Sequence, residues 1–181
     1  MTTLAACRVG TTYALAADRR VSFGNEYAAL SIPKVRMVTS WLALGWCGTA
    51  TAAAWLRALT VAPEQPATAG ELQAVLDDLG ESLRVFCAER DLTDVSMCGI
   101  TPLGIVRLTR DGAGSLLASQ VFGDGSGSNY AMGAMHSRIE WPTYGSALGA
   151  RECSTYGVAV ASRFDALTGG EIDVLTIEAA P

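Results

Sequence analysis

The chain has 181 residues, half of them hydrophobic and 17% charged, with a formal net charge of −5. That length fits one domain with one core, and the composition excludes a disordered chain. The acidic balance, with a pI near 4.8, argues against a general nucleic-acid binder, and no apolar run approaches the length of a membrane span.

Residues 2–9, T-T-L-A-A-C-R-V, are short, apolar and partly β-branched, and read as a strand. Gly10-Thr11-Thr12 reads as a turn, and residues 13–18 as a second buried strand ending on a carboxylate. Residues 35–38 and 41–46 read as two more strands. Residues 49–60 are alanine-rich and helical, with Thr49 or Thr51 as the N-cap. Pro63, Pro66 and Gly70 mark a loop. In residues 71–90, Leu72, Val75, Leu76, Leu79, Leu83 and Phe86 form one apolar helical stripe.

Residues 95–101, 103–109 and 115–121 read as strands, with Asp111-Gly112 as a hairpin turn. Residues 122–129, F-G-D-G-S-G-S-N, read as a glycine-rich loop. Helices are expected over 130–136 and 146–154, then strands over 157–162 and 172–178 around a Thr168-Gly169-Gly170 loop. The order of strands, two helices, strands, two helices, strands is satisfied by two packed sheets with helix pairs outside, although periodicity alone allows other α+β layouts.

Lys34 is the only lysine; the other twelve basic residues are arginine. A lysine ammonium is a compact charge whose pKa moves on burial, whereas arginine stays protonated. Residues 2–38 carry Arg8, Arg19, Arg20, Lys34 and Arg36 against Asp18 and Glu26, a locally basic stretch in an acidic protein. Such a patch is more often solvated or internally paired than a docking surface. The five cysteines include no C-x-x-C pair and sit among apolar neighbours, which suits small buried thiols in a reducing compartment. With one histidine, His136, neither a zinc site nor a histidine-based triad is expected, and no G-x-S-x-G or G-x-x-x-x-G-K-[ST] occurs.

What remains is an N-terminal threonine, a strand-end aspartate and one lysine. An N-terminal threonine can supply both nucleophile and base, because a free α-amine ordinarily titrates at about 7.7–8.0. Thr2 follows Met1 directly, without a signal peptide, so a cytoplasmic protein trimmed to Thr2 is expected. Taken one at a time, the residues have bland readings. Asp18 before Arg19-Arg20 would be a surface ion pair, Gly45 a packing glycine and Ser126 a helix cap.

Thr2-Thr3, A-A-Asp18, F-Gly24-Asn25, P-Lys34-V-R, L-Gly45-W-C-Gly48-T and Gly125-S-G-S-N-Y-Ala131 together resemble the proteasome-type N-terminal-nucleophile hydrolases, with the HslV-type peptidase subunits the nearest likeness. The resemblance spans most of the chain and implies a single α+β domain over residues 2–181, a four-layer αββα sandwich. It implies a threonine-type endopeptidase subunit in which Thr2 attacks the scissile carbonyl and its α-amine accepts the proton. Lys34 would lower the pKa of the Thr2 hydroxyl, and Asp18 would orient Lys34. The Gly45 N–H would line the oxyanion hole, and Ser126 would bond the α-amine. The implied partners are further copies in a hexameric or heptameric, stacked double ring, an AAA+ unfoldase ATPase, and unfolded protein or peptide as substrate. No cofactor, metal, nucleic acid or membrane is implied.

The middle helices are shorter than in HslV. The family's Asp-x-x-Ser-Gly support has its counterpart at Glu152-Cys153-Ser154-Thr155-Tyr156, where an extra methylene and a bulky Tyr156 replace the pattern. Two other readings therefore stand beside the peptidase: a catalytically impaired ring-forming homologue, and a small-molecule amidase of the same hydrolase type.

Overall fold

The computed structural model describes residues 2–23, 26–140 and 149–180, with residues 22, 23 and 26–30 through the backbone alone. Met1, Gly24, Asn25 and the first part of the helix expected at 146–154 lie outside the described residues.

The N-terminal hairpin forms as read. β1 (Thr3–Val9) and β2 (Thr12–Asp18) pair antiparallel through Leu4↔Ala17 to Val9↔Thr12. Gly10, at φ 61°, makes the turn. Both strands are buried along most of their length rather than on alternate residues, because their sheet is covered on both faces. β3 (Arg20–Phe23) and β4 (Glu26–Ser31) form a separate hairpin that hydrophobic patterning did not reveal. β5 (Val35–Met37) and β6 (Ala43–Gly48) follow.

α1 (Ala52–Ala58) is capped at Thr51 without a side-chain hydrogen bond. α2 (Ala69–Ala88) opens with a full capping box, Thr68 accepting from Glu71 N–H while Glu71 reaches back to Thr68 N–H. β7 (Val95–Thr101), β8 (Gly104–Thr109) and β9 (Gly114–Leu117) form a meander.

Two expectations are corrected in the last third. The start of the glycine-rich stretch is strand, not loop: β10 (Val121–Gly125) pairs with β1 from Thr3↔Gly125 to Cys7↔Val121. The strand expected over 157–162 is the second half of α4 (Ala150–Phe164), which follows α3 (Ser128–Glu140). The buried residues Ala150, Cys153, Ser154, Gly157, Val158 and Ala161 recur every three or four positions, so the short V-A-V-A run is one face of a helix. β11 (Ile172–Glu178) closes the chain beside β2.

The strands form one sheet in the order β10-β1-β2-β11 and another in the order β5-β6-β7-β8-β9. Three apolar clusters fill the spaces between layers. Trp41, Leu44, Trp46, Leu76, Leu83 and Met97 bind α1 and α2 to the second sheet. Leu4, Ala6, Leu15, Cys98, Ile100 and Ile105 lie between the sheets. Ala5, Cys7, Val121, Met135, Cys153 and Val158 bind α3 and α4 to the first. The architecture is the expected four-layer αββα sandwich. Among the described residues no helix is long and apolar enough to cross a membrane.

Candidate active site

Antiparallel order brings several strand ends to one side of the sandwich. Thr2 precedes β1, Asp18 ends β2, Lys34 precedes β5, Ser126 follows β10, and Thr168-Gly169 precede β11.

Asp18 and Lys34 are both at most 1% exposed, and Lys34 Nζ donates to both Asp18 carboxylate oxygens at 3.1 Å. Asp18 also accepts from Thr3 N–H at 2.9 Å and from the Arg20 and Gly169 N–H groups at 3.1 Å. Lys34 donates further to the Arg20 carbonyl at 2.5 Å. A buried charge persists only when paired and hydrogen-bonded in this way. Burial pushes the Lys34 ammonium below the ordinary lysine range, and the Asp18 charge opposes that shift. The carboxylate thus ties the ammonium to the backbone beside Thr2.

Thr2 is buried, and its Oγ1 has no hydrogen-bond partner among the described residues. Its carbonyl accepts the Ser126 N–H at 3.0 Å. Gly125, at φ 88°, brings the chain so close that a Cβ there would fall 1.9 Å from the Thr2 carbonyl oxygen. The Ser126 hydroxyl donates to Asp165 at 2.6 Å, and so does the Thr168 hydroxyl at 2.5 Å. Thr168 Oγ1 lies 2.6 Å from Thr3 Oγ1, so a continuous chain of hydroxyls and carboxylate runs from Ser126 to the residue after Thr2. Burial alone would raise the Asp165 pKa, but the bonds from Ser126, Thr168 and the Leu167 N–H hold it below the usual carboxylate range.

Asp165 and Thr168 were missed by the sequence reading, which looked for this support at Glu152–Tyr156. In the structure Glu152 is exposed in the first turn of α4, and Tyr156 lies under the Arg138 guanidinium at 4.5 Å. The available signal was Asp165-Ala-Leu-Thr168-Gly169, the spacing of Asp-x-x-Ser-Gly with threonine in place of serine.

Gly45 is also corrected. Trp46 N–H donates to Lys34 O and Val38 N–H to Leu42 O, so even-numbered residues of β6 face β5. Thr49 N–H donates to Asp94 O, so odd-numbered residues face β7. By this alternation Gly45, paired with Cys98, directs its N–H into the β6–β7 ladder and not toward Thr2. Its missing Cβ serves packing instead, since one would meet Leu4 Cδ2 at 2.8 Å and Val35 Cγ1 at 2.9 Å. The next amide on the Lys34 side of β6 is that of Gly48, at φ 94°.

His136 is exposed on α3, 3.9 Å from Glu140. All five cysteines are buried and free, as expected. Among the described residues no cluster of three His, Cys, Asp or Glu side chains is arranged to hold a metal.

No protein-family model and no curated protein matches the chain. Solved structures do. Thiobacillus denitrificans BPH superposes with a TM-score of 0.76 at 22% identity, covering 99% of each chain. The same protein in complex with epoxomicin gives 0.75 at 23% identity, covering 99% of this chain and 100% of that one. Eukaryotic HslV from Trypanosoma brucei gives 0.75 at 22% identity, covering 97% and 99%. The chain has the HslV-type fold. Because the likeness runs over nearly the full length of both partners, every layer of that fold is present here. The strand ends that carry Thr2, Asp18, Lys34 and Ser126 are integral parts of the HslV-type sandwich rather than additions to it.

Proposed function

We propose that this protein is a threonine-type peptidase subunit of a self-compartmentalised, HslV-like protease. The observation that carries the reading is the buried Lys34–Asp18 pair, bonded to the backbone next to a buried threonine hydroxyl that has no partner of its own among the described residues. A structural core gains little from a desolvated lysine and a bare hydroxyl at one sheet end; a nucleophile needs both.

After loss of Met1, the Thr2 Oγ attacks the scissile carbonyl carbon and its proton passes to the Thr2 α-amine. Lys34 stabilises the developing alkoxide, and Asp18 keeps the ammonium in place. The Gly48 N–H receives the oxyanion, a donor of the kind whose removal costs on the order of 10²–10³ in rate. The amine returns the proton to the leaving nitrogen, and water then cleaves the Thr2 ester. Ser126, Asp165 and Thr168 hold the α-amine and the Thr2–Thr3 main chain. The hydrogen bonds of Asp165 to Ser126 and Thr168 support the peptidase reading over the impaired homologue suggested by the mismatch at Glu152–Tyr156. Assembly into a stacked double ring of six or seven copies, an AAA+ unfoldase and unfolded substrates belong to the same proposal.

Intact-mass spectrometry before and after a threonine-reactive β-lactone tests it, with epoxomicin as a second probe. The expected result is a chain lacking Met1 that gains one adduct, mapped to Thr2 and absent in Thr2→Ala. A trimmed, folded chain that stays unmodified and cleaves no peptide rejects the reading. Native mass spectrometry of the same sample reads the ring size.

A further inference from the structure

Three buried side-chain polar atoms among the described residues have no hydrogen-bond partner: Thr2 Oγ1, Arg107 Nε and Asp124 Oδ2. The last two face each other at 3.7 Å across the gap between the sheets. Asp124 lies opposite Leu4 in the β1–β10 ladder, so its side chain shares the sheet face of Leu4 and, two residues earlier, of Thr2. Arg107 lies opposite Cys98 on the facing sheet. The pair sits at the edge of the inter-sheet space, with the Asp124 side chain 13% and the Arg107 side chain 42% exposed, where an ion pair adds little stability by itself.

The position of Asp124 gives the charge something to do. Its Oδ1 accepts the N–H of Gly125 at 2.9 Å, and Gly125 is the residue pressed against the Thr2 carbonyl. Its Oδ2 faces the guanidinium of the other sheet, which lies 5.8 Å from the centroid of the Phe122 ring. Cys47 packs beside the same turn, with Sγ 2.8 Å from Ser96 Oγ. Burial and the Asp124 charge push that thiol up to about 12.

We propose that Asp124 and Arg107 are a positioning pair, an inter-sheet clamp that fixes the Gly125–Ser126 turn and, through it, the main chain of Thr2. Neither side chain touches substrate. The inference rests on the peptidase reading for its kinetic consequence but not for its structural one.

The test compares Asp124→Leu, Asp124→Asn, Arg107→Met and the double variant Asp124→Leu/Arg107→Met with wild type. Steady-state cleavage of a fluorogenic peptide and the rate of β-lactone addition are read beside thermal melting and amide hydrogen exchange. Asp124→Leu is expected to lower kcat about 10- to 100-fold with KM within about twofold, as a misplaced nucleophile does. Asp124→Asn keeps the Gly125 acceptor and falls between. The double variant removes a partly exposed pair that adds little stability, so it melts close to the wild-type temperature yet stays slow, which separates positioning from stability. The Ser126 amide is expected to exchange about tenfold faster in Asp124→Leu, with the middle of β10 unchanged. A kcat within twofold of wild type, or a double variant that regains full rate, overturns the proposal. If wild-type Thr2 forms no adduct, the peptidase reading fails instead, and the Ser126 exchange rate alone decides the clamp: unchanged exchange overturns it and faster exchange supports it.

Discussion

The Asp165 carboxylate accepts the Ser126 hydroxyl at 2.6 Å and the Thr168 hydroxyl at 2.5 Å, and through Thr168 the hydrogen-bonded chain reaches the Thr3 side chain. Neither residue lies in a run that periodicity singles out. Their meeting depends on α4 ending at Phe164, so that the next residue turns back toward the end of β10.

Asp165→Asn should lower the rate of Thr2 acylation about 10- to 100-fold, in the range of other displaced supporting groups. Its effect on stability should depend on pH. The folded carboxyl sits below its ordinary value, so its contribution is present above the unfolded pKa of about 3.9 and is lost as pH falls through the folded pKa. Melting curves of wild type and variant should differ at pH 7 and converge in strong acid.

Thr168→Ser should stay near wild type, because the hydroxyl that bridges Thr3 and Asp165 remains. Thr168→Val keeps the shape but leaves the buried Thr3 hydroxyl without that bridge, at a cost of about 1–3 kcal/mol. Denaturant unfolding measures the loss, and β-lactone addition should slow in the valine variant alone.

Lys34→Met strands a buried Asp18 and should destabilise the fold by about 3–5 kcal/mol as well as abolish cleavage. Adding Asp18→Asn should restore much of the stability and none of the activity. Urea titration paired with a peptide assay separates the two effects.

In a crystal structure of the β-lactone adduct, the acyl oxygen should lie about 2.7–3.1 Å from the Gly48 nitrogen. An acyl oxygen bonded to Gly45 instead would require the β6–β7 ladder to open at Cys98.

Thr68→Ala removes the capping box of α2, remote from the site, and should cost about 1 kcal/mol without altering kcat. For a domain of this size, scanning calorimetry should show a fall of about 2–4 °C.

Much of the fold was legible in the chain. The β1–β2 hairpin announced itself through Gly10 between two buried runs, and α2 through its apolar stripe, whereas the Thr68–Glu71 capping box that starts it went unread. The run at 157–162 was not, because four small and β-branched residues fit a strand or one helix face equally well. The β3–β4 hairpin was not either, since strands of four and six residues give too short a pattern to read.

The sequence by itself determined which residues had chemistry to offer: a threonine at position 2, a carboxylate closing a buried strand, and a lone lysine among twelve arginines. These are local facts of residue type and position. Only the tertiary structure decided what joins them. Thr3 meets Thr168 across 165 positions, and Gly169 reaches Asp18 across 151. The choice between Gly45 and Gly48 was likewise tertiary. Amide direction alternates along a strand, and which side is engaged depends on the neighbouring strand, a fact no residue of β6 carries alone.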